Sequence, residues 1–244
     1  MKKLLALASV ASLLMTANAS ATLVSGNSLQ NALTATGAVV DVNNDQYTPD
    51  TYWMMGSSTV SSANILFELA GFADSTTFGI FDKNNSSNKL QIFNGAAGSG
   101  SIALFANSTV PGGKQFCTAA LFSSSVTCSM FSGNQFGFYL QSPSGTFYSD
   151  TALNQDNVDH MVAYQGNYTP SNPNTINDNP WLANEFVLAW EDLNGGGDRD
   201  YDDFVVMVES VVSAPEPTTL GLLGLGLLGL SLRSRKGARA RSIV

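Results

Sequence analysis

The feature that most constrains this chain is an acidic loop, Glu191-Asp192-Leu193-Asn194-Gly195-Gly196-Gly197-Asp198-Arg199-Asp200-Tyr201-Asp202-Asp203, set between two apolar runs. Phe186-Val187-Leu188-Ala189-Trp190 before it and Phe204-Val205-Val206-Met207-Val208 after it are rich in β-branched and aromatic residues and read as strands. The loop is therefore pinned at both ends. Its six carboxylates face one cation, Arg199, and its glycines permit backbone conformations closed to other residues. Like charges so crowded repel unless something offsets them. Carboxylate and carbonyl oxygens are the ligands of a hard cation, so Ca²⁺ is the expected cofactor, with Asp192, Asp198, Asp200, Asp202, Asp203 and Glu191 as candidate ligands.

The EF-hand template fails here. Asp203 stands where its glycine belongs, and a Val-rich run follows where a helix should begin. If that run is a strand rising roughly 3.3 Å per residue, Glu209 lies about 20 Å from Asp203, too far to close a coordination shell. A metal-free alternative stays open, in which the Asp side chains bond nearby backbone N–H groups and Arg199 pairs locally.

Charge is segregated along the chain. Between Lys3 and Arg233 only Lys83, Lys89, Lys114 and Arg199 are basic, against all 19 acids, a balance of 4 − 19 = −15. Such a surface repels nucleic acid phosphates, so no nucleic acid partner is expected. At the N-terminus Lys2-Lys3, an apolar run over 4–15, and the small-residue sites Ala17-Asn18-Ala19 and Ala19-Ser20-Ala21 read as a signal peptide over 1–21, the substrate of signal peptidase. Its apolar part is too short for a span, and the mature protein is expected in an oxidising compartment. There Cys117 and Cys128, flanking a Ser-rich turn, are expected to form a disulfide that closes a β-hairpin.

From about residue 64 onward, short aromatic or β-branched runs alternate with Gly, Asn and Ser clusters, with no amphipathic helix of any length. This predicts an all-β, jelly-roll-like β-sandwich. The domain is expected over 63–213, preceded by a Ser/Thr/Asn-rich part, 22–62, that supplies an opening strand or two joined by loose loops. Asp41-Val42-Asn43-Asn44-Asp45 has calcium-like spacing but lacks the following glycine and reads as a turn. Asn154, Asp156, Asp159 and the sole histidine, His160, are placed to fold back toward the acidic loop. No nucleophile elbow, phosphate loop or zinc pattern occurs, so no catalytic residue is assigned and a non-enzymatic role is expected.

The C-terminus is tripartite over 214–241. Pro215-Glu216-Pro217 precedes an apolar, Gly-punctuated run over 218–232 and a basic tail carrying Arg233, Arg235, Lys236, Arg239 and Arg241. As a helix the run covers about 22 Å, a marginal single transmembrane span against a hydrocarbon core of about 30 Å. The basic tail belongs on the cytoplasmic side.

This end resembles the PEP-CTERM sorting signal of Gram-negative bacteria. The resemblance implies that an exosortase recognises the Pro-Glu-Pro motif at an inner-membrane intermediate, and that the protein goes to the cell surface or exterior, where such proteins accompany exopolysaccharide and biofilm matrix. The interior resembles a secreted β-domain of unknown function. The matching residues are Glu191-Asp192, Gly196-Gly197-Asp198-Arg199-Asp200-Tyr201-Asp202-Asp203 and Val205-Val206, with Phe78-Gly79-Ile80-Phe81-Asp82, Phe136-Gly137-Phe138-Tyr139-Leu140, Phe147-Tyr148-Ser149-Asp150 and Asp159-His160 upstream. It spans roughly 60–212 and implies a binding rather than a catalytic role.

Together these readings predict an exported structural or adhesive protein with a calcium-stabilised loop, touching exopolysaccharide or other matrix proteins. Exposed aromatics such as Tyr52, Trp53 or Trp181 would make that contact, although each is equally placed to be a core or edge residue. The rival readings are a surface polysaccharide hydrolase using two carboxylates and a permanently membrane-anchored surface protein.

Overall fold

The computed structural model describes residues 22–69, 72–121 and 123–215. The expected signal peptide, Glu216, Pro217, the apolar run and the basic tail lie outside the described residues. Among the described residues no helix is long and apolar enough to cross a membrane.

The chain forms α1 (Ser28–Ala35), then β1 (Trp53–Met55), β2 (Val60–Phe67), β3 (Thr77–Asp82), β4 (Asn85–Phe93) and β5 (Ile102–Val110). There follow β6 (Gly113–Ala120), β7 (Thr127–Phe131), β8 (Phe136–Ser142), β9 (Gly145–Tyr148) and β10 (Met161–Gln165). The short pair β11 (Thr175–Ile176) and β12 (Asn179–Pro180) leads to β13 (Glu185–Trp190), β14 (Phe204–Glu209) and β15 (Val211–Ser213). The fold is all-β, as expected. One sheet has the order β15-β1-β8-β3-β4 with β9 added beside β8, and the other the order β10-β13-β14-β2-β5-β6-β7. All the pairings are antiparallel, so the sheets stack as a sandwich with alternating side chains meeting between them.

The space between the sheets is filled by rings. Phe78 stacks on Phe138 at 5.6 Å and on Phe204 at 5.5 Å, and Trp53 meets Phe186 edge-on at 4.7 Å. Trp53 is fully buried, and Trp181 is 1% exposed, so two of the three aromatics expected to meet a partner serve as core instead. Indole and phenyl groups bury large apolar areas, and a sandwich of this size recruits them inward.

A second apolar cluster lies on the opposite face of the seven-stranded sheet. There Val162, Tyr164, Val187, Ala189 and Val205 pack against Val24, Leu29, Leu33, Ala38 and Val42 from the N-terminal part. Because β13 and β14 are covered on both faces, they read as continuous apolar runs rather than alternating ones. The N-terminal part thus differs from the loose strands expected for it. It contributes α1, a two-turn helix whose Leu29 and Leu33, four residues apart, are wholly buried. The helix is only two turns long, so its stability comes from that docked stripe rather than from propensity. The 41–45 segment is the expected turn, with Asp41 Oδ1 accepting from the N–H groups of Asn43 and Asn44.

Cys117 and Cys128 face each other across β6 and β7 and are joined at 2.03 Å, as expected for a disulfide-closed hairpin. At the other end of the chain Ser210, in a left-handed conformation, takes it from β14 in one sheet to β15 in the other. Replacing Leu33 by Ala should cost about 2–4 kcal/mol in denaturant unfolding. Breaking the disulfide should cost on the order of 2–3 kcal/mol.

Candidate metal centre

The acidic loop joins β13 to β14, and the cross-strand pair Trp190–Phe204 closes its base. Beyond Trp190 the chain stays paired for one residue, since the Glu191 N–H donates to the His160 carbonyl at 3.0 Å. Consecutive residues of an extended chain project to opposite sides, so Glu191 and Asp192 part company at the start of the loop. Each gathers a different set of neighbours.

Glu191 is wholly buried. Its Oε1 accepts the Tyr201 N–H at 2.8 Å, whereas Oε2 is buried with no hydrogen-bond partner among the described residues. Asp198, exposed, and Asp200, half-buried, each bring a carboxylate oxygen to the same place, and the three oxygens lie within 4.8 Å of one another. Three anions so close repel by on the order of 3 kcal/mol per pair at an effective dielectric of about 20. Burial, and then the charges of Asp203, Asp198 and Asp200, push the Glu191 carboxyl up to about 8. Burial, then Asp202 and Asp198, push Asp200 to about 6.

The backbone is shaped to permit this crowding. Gly195, Gly196 and Gly197 all have positive φ, and so do Arg199 and Tyr201. At Gly197 a Cβ would stand 2.2 Å from Glu191 Oε2, so the position requires glycine twice over, for its φ of +48° and for the close approach. Tyr201 is the loop's anchor: its ring is fully buried and its hydroxyl donates to the Asp159 carbonyl at 2.7 Å. Arg199 contributes its carbonyl to Ser25 N–H at 2.6 Å. The local ion pair expected of its guanidinium does not form, because among the described residues the one ionic contact within 4.0 Å joins His160 to Asp156.

On the other side, Asp203 Oδ2 accepts the Asp192 N–H at 2.9 Å. Asp192 is 2% exposed with Oδ2 unpartnered, and its carbonyl accepts Ser142 Oγ at 2.6 Å. Burial raises the Asp192 carboxyl, and it raises Asp203 to about 6 with the charge of Asp192 opposing ionisation as well. Glu68, just past β2, is raised to about 7 by burial and then by Asp74 and Asp192. The residue was missed in the sequence, where it is a lone acid after an apolar run with no motif around it. Asp202 is buried and offers its N–H to Asp200 Oδ1 at 3.4 Å. Of the six expected ligands, then, Glu191, Asp198 and Asp200 converge, while Asp192 and Asp203 form a separate pair.

The 154–160 segment does fold back against the loop. Asp156 Oδ2 accepts the Gly195 N–H at 2.7 Å and lies 2.9 Å from His160 Nε2. Burial opposes ionisation of Asp156, yet the N–H groups of Gly195 and Val158 and the imidazole bring it down to about 2. His160 Nδ1 donates to the Glu191 carbonyl at 3.2 Å, and its ring stacks on Phe147 at 4.0 Å. The histidine braces the backbone of the site. Asn154 completes the support by bonding the backbones of Tyr148 and Val158.

Beyond the loop, β15 carries the chain to the edge of the six-stranded sheet. Ser213 Oγ donates to the Pro49 carbonyl and the Ala214 N–H to the Tyr52 carbonyl, so the domain is tied down as far as the residue before Pro215.

Residues 123–211 match a family model described as a domain of unknown function, DUF4114, and residues 213–236 match the PEP-CTERM protein-sorting motif. The first match begins in the β6–β7 turn and contains the whole acidic loop, and the upstream segment around Phe78–Asp82 lies outside it. The second marks an exosortase-sorted protein, exported through the membrane to the surface of a Gram-negative bacterium. No curated protein and no solved structure matches the chain.

The raised carboxyls fix a pH dependence. A group whose folded pKa exceeds its unfolded value stabilises fully below the unfolded pKa, and that stability is lost as pH rises through the folded one. For Glu191, Asp200 and Asp203 the window runs from about 4 to about 8. In chelator, the thermal midpoint should therefore fall as pH is raised across that window, and Glu191→Gln should flatten the upper part of the slope. Gly197→Ala should lower the midpoint at every pH.

Proposed function

We propose that this is a structural or adhesive protein of the bacterial surface or extracellular matrix, whose acidic loop is locked by a calcium ion. The observation that carries the metal reading is the Glu191 carboxylate: fully buried, one oxygen without a partner among the described residues, and facing Asp198 and Asp200. Burying an unpartnered anionic oxygen is costly, and a divalent cation between three carboxylates removes both that cost and their mutual repulsion. The donors are all oxygens, which suits a hard cation, and the loop's carbonyls and water would complete a shell of six to eight. Asp192, Asp202 and Asp203 shape the loop's flank rather than closing the same shell.

Signal peptidase and exosortase are the processing partners of this reading, and exopolysaccharide or other matrix proteins its partners outside. The role is non-catalytic. The sole histidine is sealed in the core with both nitrogens engaged, which supports a bracing rather than an acid–base role. A rigid loop at one end of the sandwich presents a fixed surface, as an adhesive or assembling domain requires.

The test is thermal unfolding of the full chain in mild detergent after chelation, then with rising Ca²⁺ and, separately, Mg²⁺. Calcium should raise the midpoint saturably, with stabilisation of about 2.7 kcal/mol at a hundredfold excess over Kd, and Mg²⁺ should do so less. Asp200→Asn and Glu191→Gln should each abolish the rise. A midpoint unmoved by millimolar Ca²⁺ overturns the metal reading.

A further inference from the structure

The outer face of the six-stranded sheet carries an arrangement that the acidic loop does not explain. Phe78, Ile80, Phe138, Leu140 and Phe147 of β3, β8 and β9 point into the core, and the residues between them point away from it. Tyr139 lies between Gly79 of β3 and Tyr148 of β9, and Phe81 lies opposite Gly137 of β8 and Lys89 of β4. The glycines let the rings lie down on the sheet. A Cβ at Gly137 would stand 2.2 Å from the Phe81 ring, and one at Gly79 2.8 Å from the Tyr139 ring. Phe81 in turn meets Tyr148 edge-on at 5.1 Å.

Over this layer the Lys89 ammonium sits 4.8 Å from the centroid of Tyr139 and 4.8 Å from that of Tyr148. Lys89 is one of only four basic residues between Lys3 and Arg233, in a stretch with 19 acids. Electrostatics would pair it with a carboxylate, yet among the described residues none lies within 4.0 Å of it. The Tyr52 hydroxyl donates to Asp150, whereas the hydroxyls of Tyr139 and Tyr148 have no protein acceptor among the described residues. Burial, and then the neighbouring Tyr148, hold the Tyr139 hydroxyl up to about 12, so it remains a donor throughout the physiological range. The ammonium lies over both rings, Tyr139 is 4% exposed and Tyr148 half-buried, and neither hydroxyl finds an acceptor among the described residues.

We propose that Lys89, Tyr139 and Tyr148 form a binding site for the carboxylate of an acidic saccharide. The ammonium and hydroxyls take the carboxylate in charge-assisted hydrogen bonds. Gln91, exposed two residues along β4, offers an amide to the hydroxyls of a pyranose. The ligand is a glycan that carries uronic acids, and a short oligouronate is its simplest probe. The neighbouring Lys83 is not part of the site: it lies over Tyr52, donates to Gln135 Oε1 at 2.6 Å, and shares its pocket with Asp150. The site lies on the sheet opposite to the one that carries the acidic loop, and binding there is independent of the cation.

Calorimetric titration of the full chain, in mild detergent with chelator present, separates this proposal from the calcium reading. Trigalacturonate should bind, maltotriose at least tenfold more weakly, and a triglutamate peptide likewise more weakly. Lys89→Gln and the double change Tyr139→Phe with Tyr148→Phe should each weaken trigalacturonate at least fivefold, while Lys114→Gln leaves it unchanged. If Lys89→Gln fails to fold, the Tyr148→Phe single change, which keeps the ring, carries the comparison. No heat with trigalacturonate, equal binding by the neutral sugar, unchanged binding by the folded variants, or equal binding of triglutamate would each overturn the proposal.

Discussion

The acidic end of the molecule depends on one oxygen atom, Oε2 of Glu191. Its partner Oε1 is spent on the N–H of Tyr201, which fixes that residue in a left-handed conformation and seats its ring in the outer core. That anchor holds the loop's second half against the sheet, and the three preceding glycines bend the first half over the carboxylate. Oε2 is then left facing Asp198 and Asp200 with no donor among the described residues. A chain that only needed a tight turn between two strands would not seal an anionic oxygen beneath two others. The same turn could be made with fewer acids and a short Asn-Gly link. Under the proposed reading this geometry is the cost of a cation site, relieved by a proton below about pH 8 or by the cation that displaces it.

Such a site works only if its base does not yield. The loop springs from the two strands that are buried on both faces, the middle layer of a three-layer arrangement made by one sheet, the other sheet, and the N-terminal part with α1. The base is further clamped from the side. Asp156 takes the Gly195 N–H, His160 takes the Glu191 carbonyl, and Phe147 stacks on the imidazole. The histidine's place in the molecule follows from that clamp. With both nitrogens engaged and no exposed surface, it contributes direction to the loop backbone and leaves the carboxylates to supply the chemistry.

Much of this was legible in the residues. Alternation and turn spacing gave an all-β chain, the cysteine spacing gave a hairpin bond that forms, and the crowding of 191–203 marked the candidate site. The segment 154–160 also folds back as its polar residues suggested. What could not be read was direction. Nothing in a linear run of six carboxylates says that Glu191 and Asp192 face opposite ways, since the strand's last turn of pleat decides it, or that Glu68 arrives from another strand beside Asp192. Helix α1 was hidden for a different reason. Its two leucines are a single i, i+4 pair in a run too short to show a helical period, and the sheet face that stabilises them is assembled mostly from residues more than a hundred positions away. Trp53 and Trp181 were misplaced as possible contacts because an aromatic in a polar neighbourhood of sequence can still be the residue that plugs a sandwich.

The distribution of charge ties the fold to its destination. The carboxylates gather at the β13–β14 end of one sheet, whereas Lys83 and Lys89 lie over tyrosines on the outer face of the other. The last strand, β15, pairs with β1 and is held by Pro49 and Tyr52, so the ordered domain runs without a spacer to Pro215, where the matched sorting motif has already begun. The matched sorting motif is therefore continuous with a strand whose pairing partner among the described residues is β1. Because β1 is carried by the N-terminal part and β15 closes the C-terminal end, their pairing joins the two extremities of the domain.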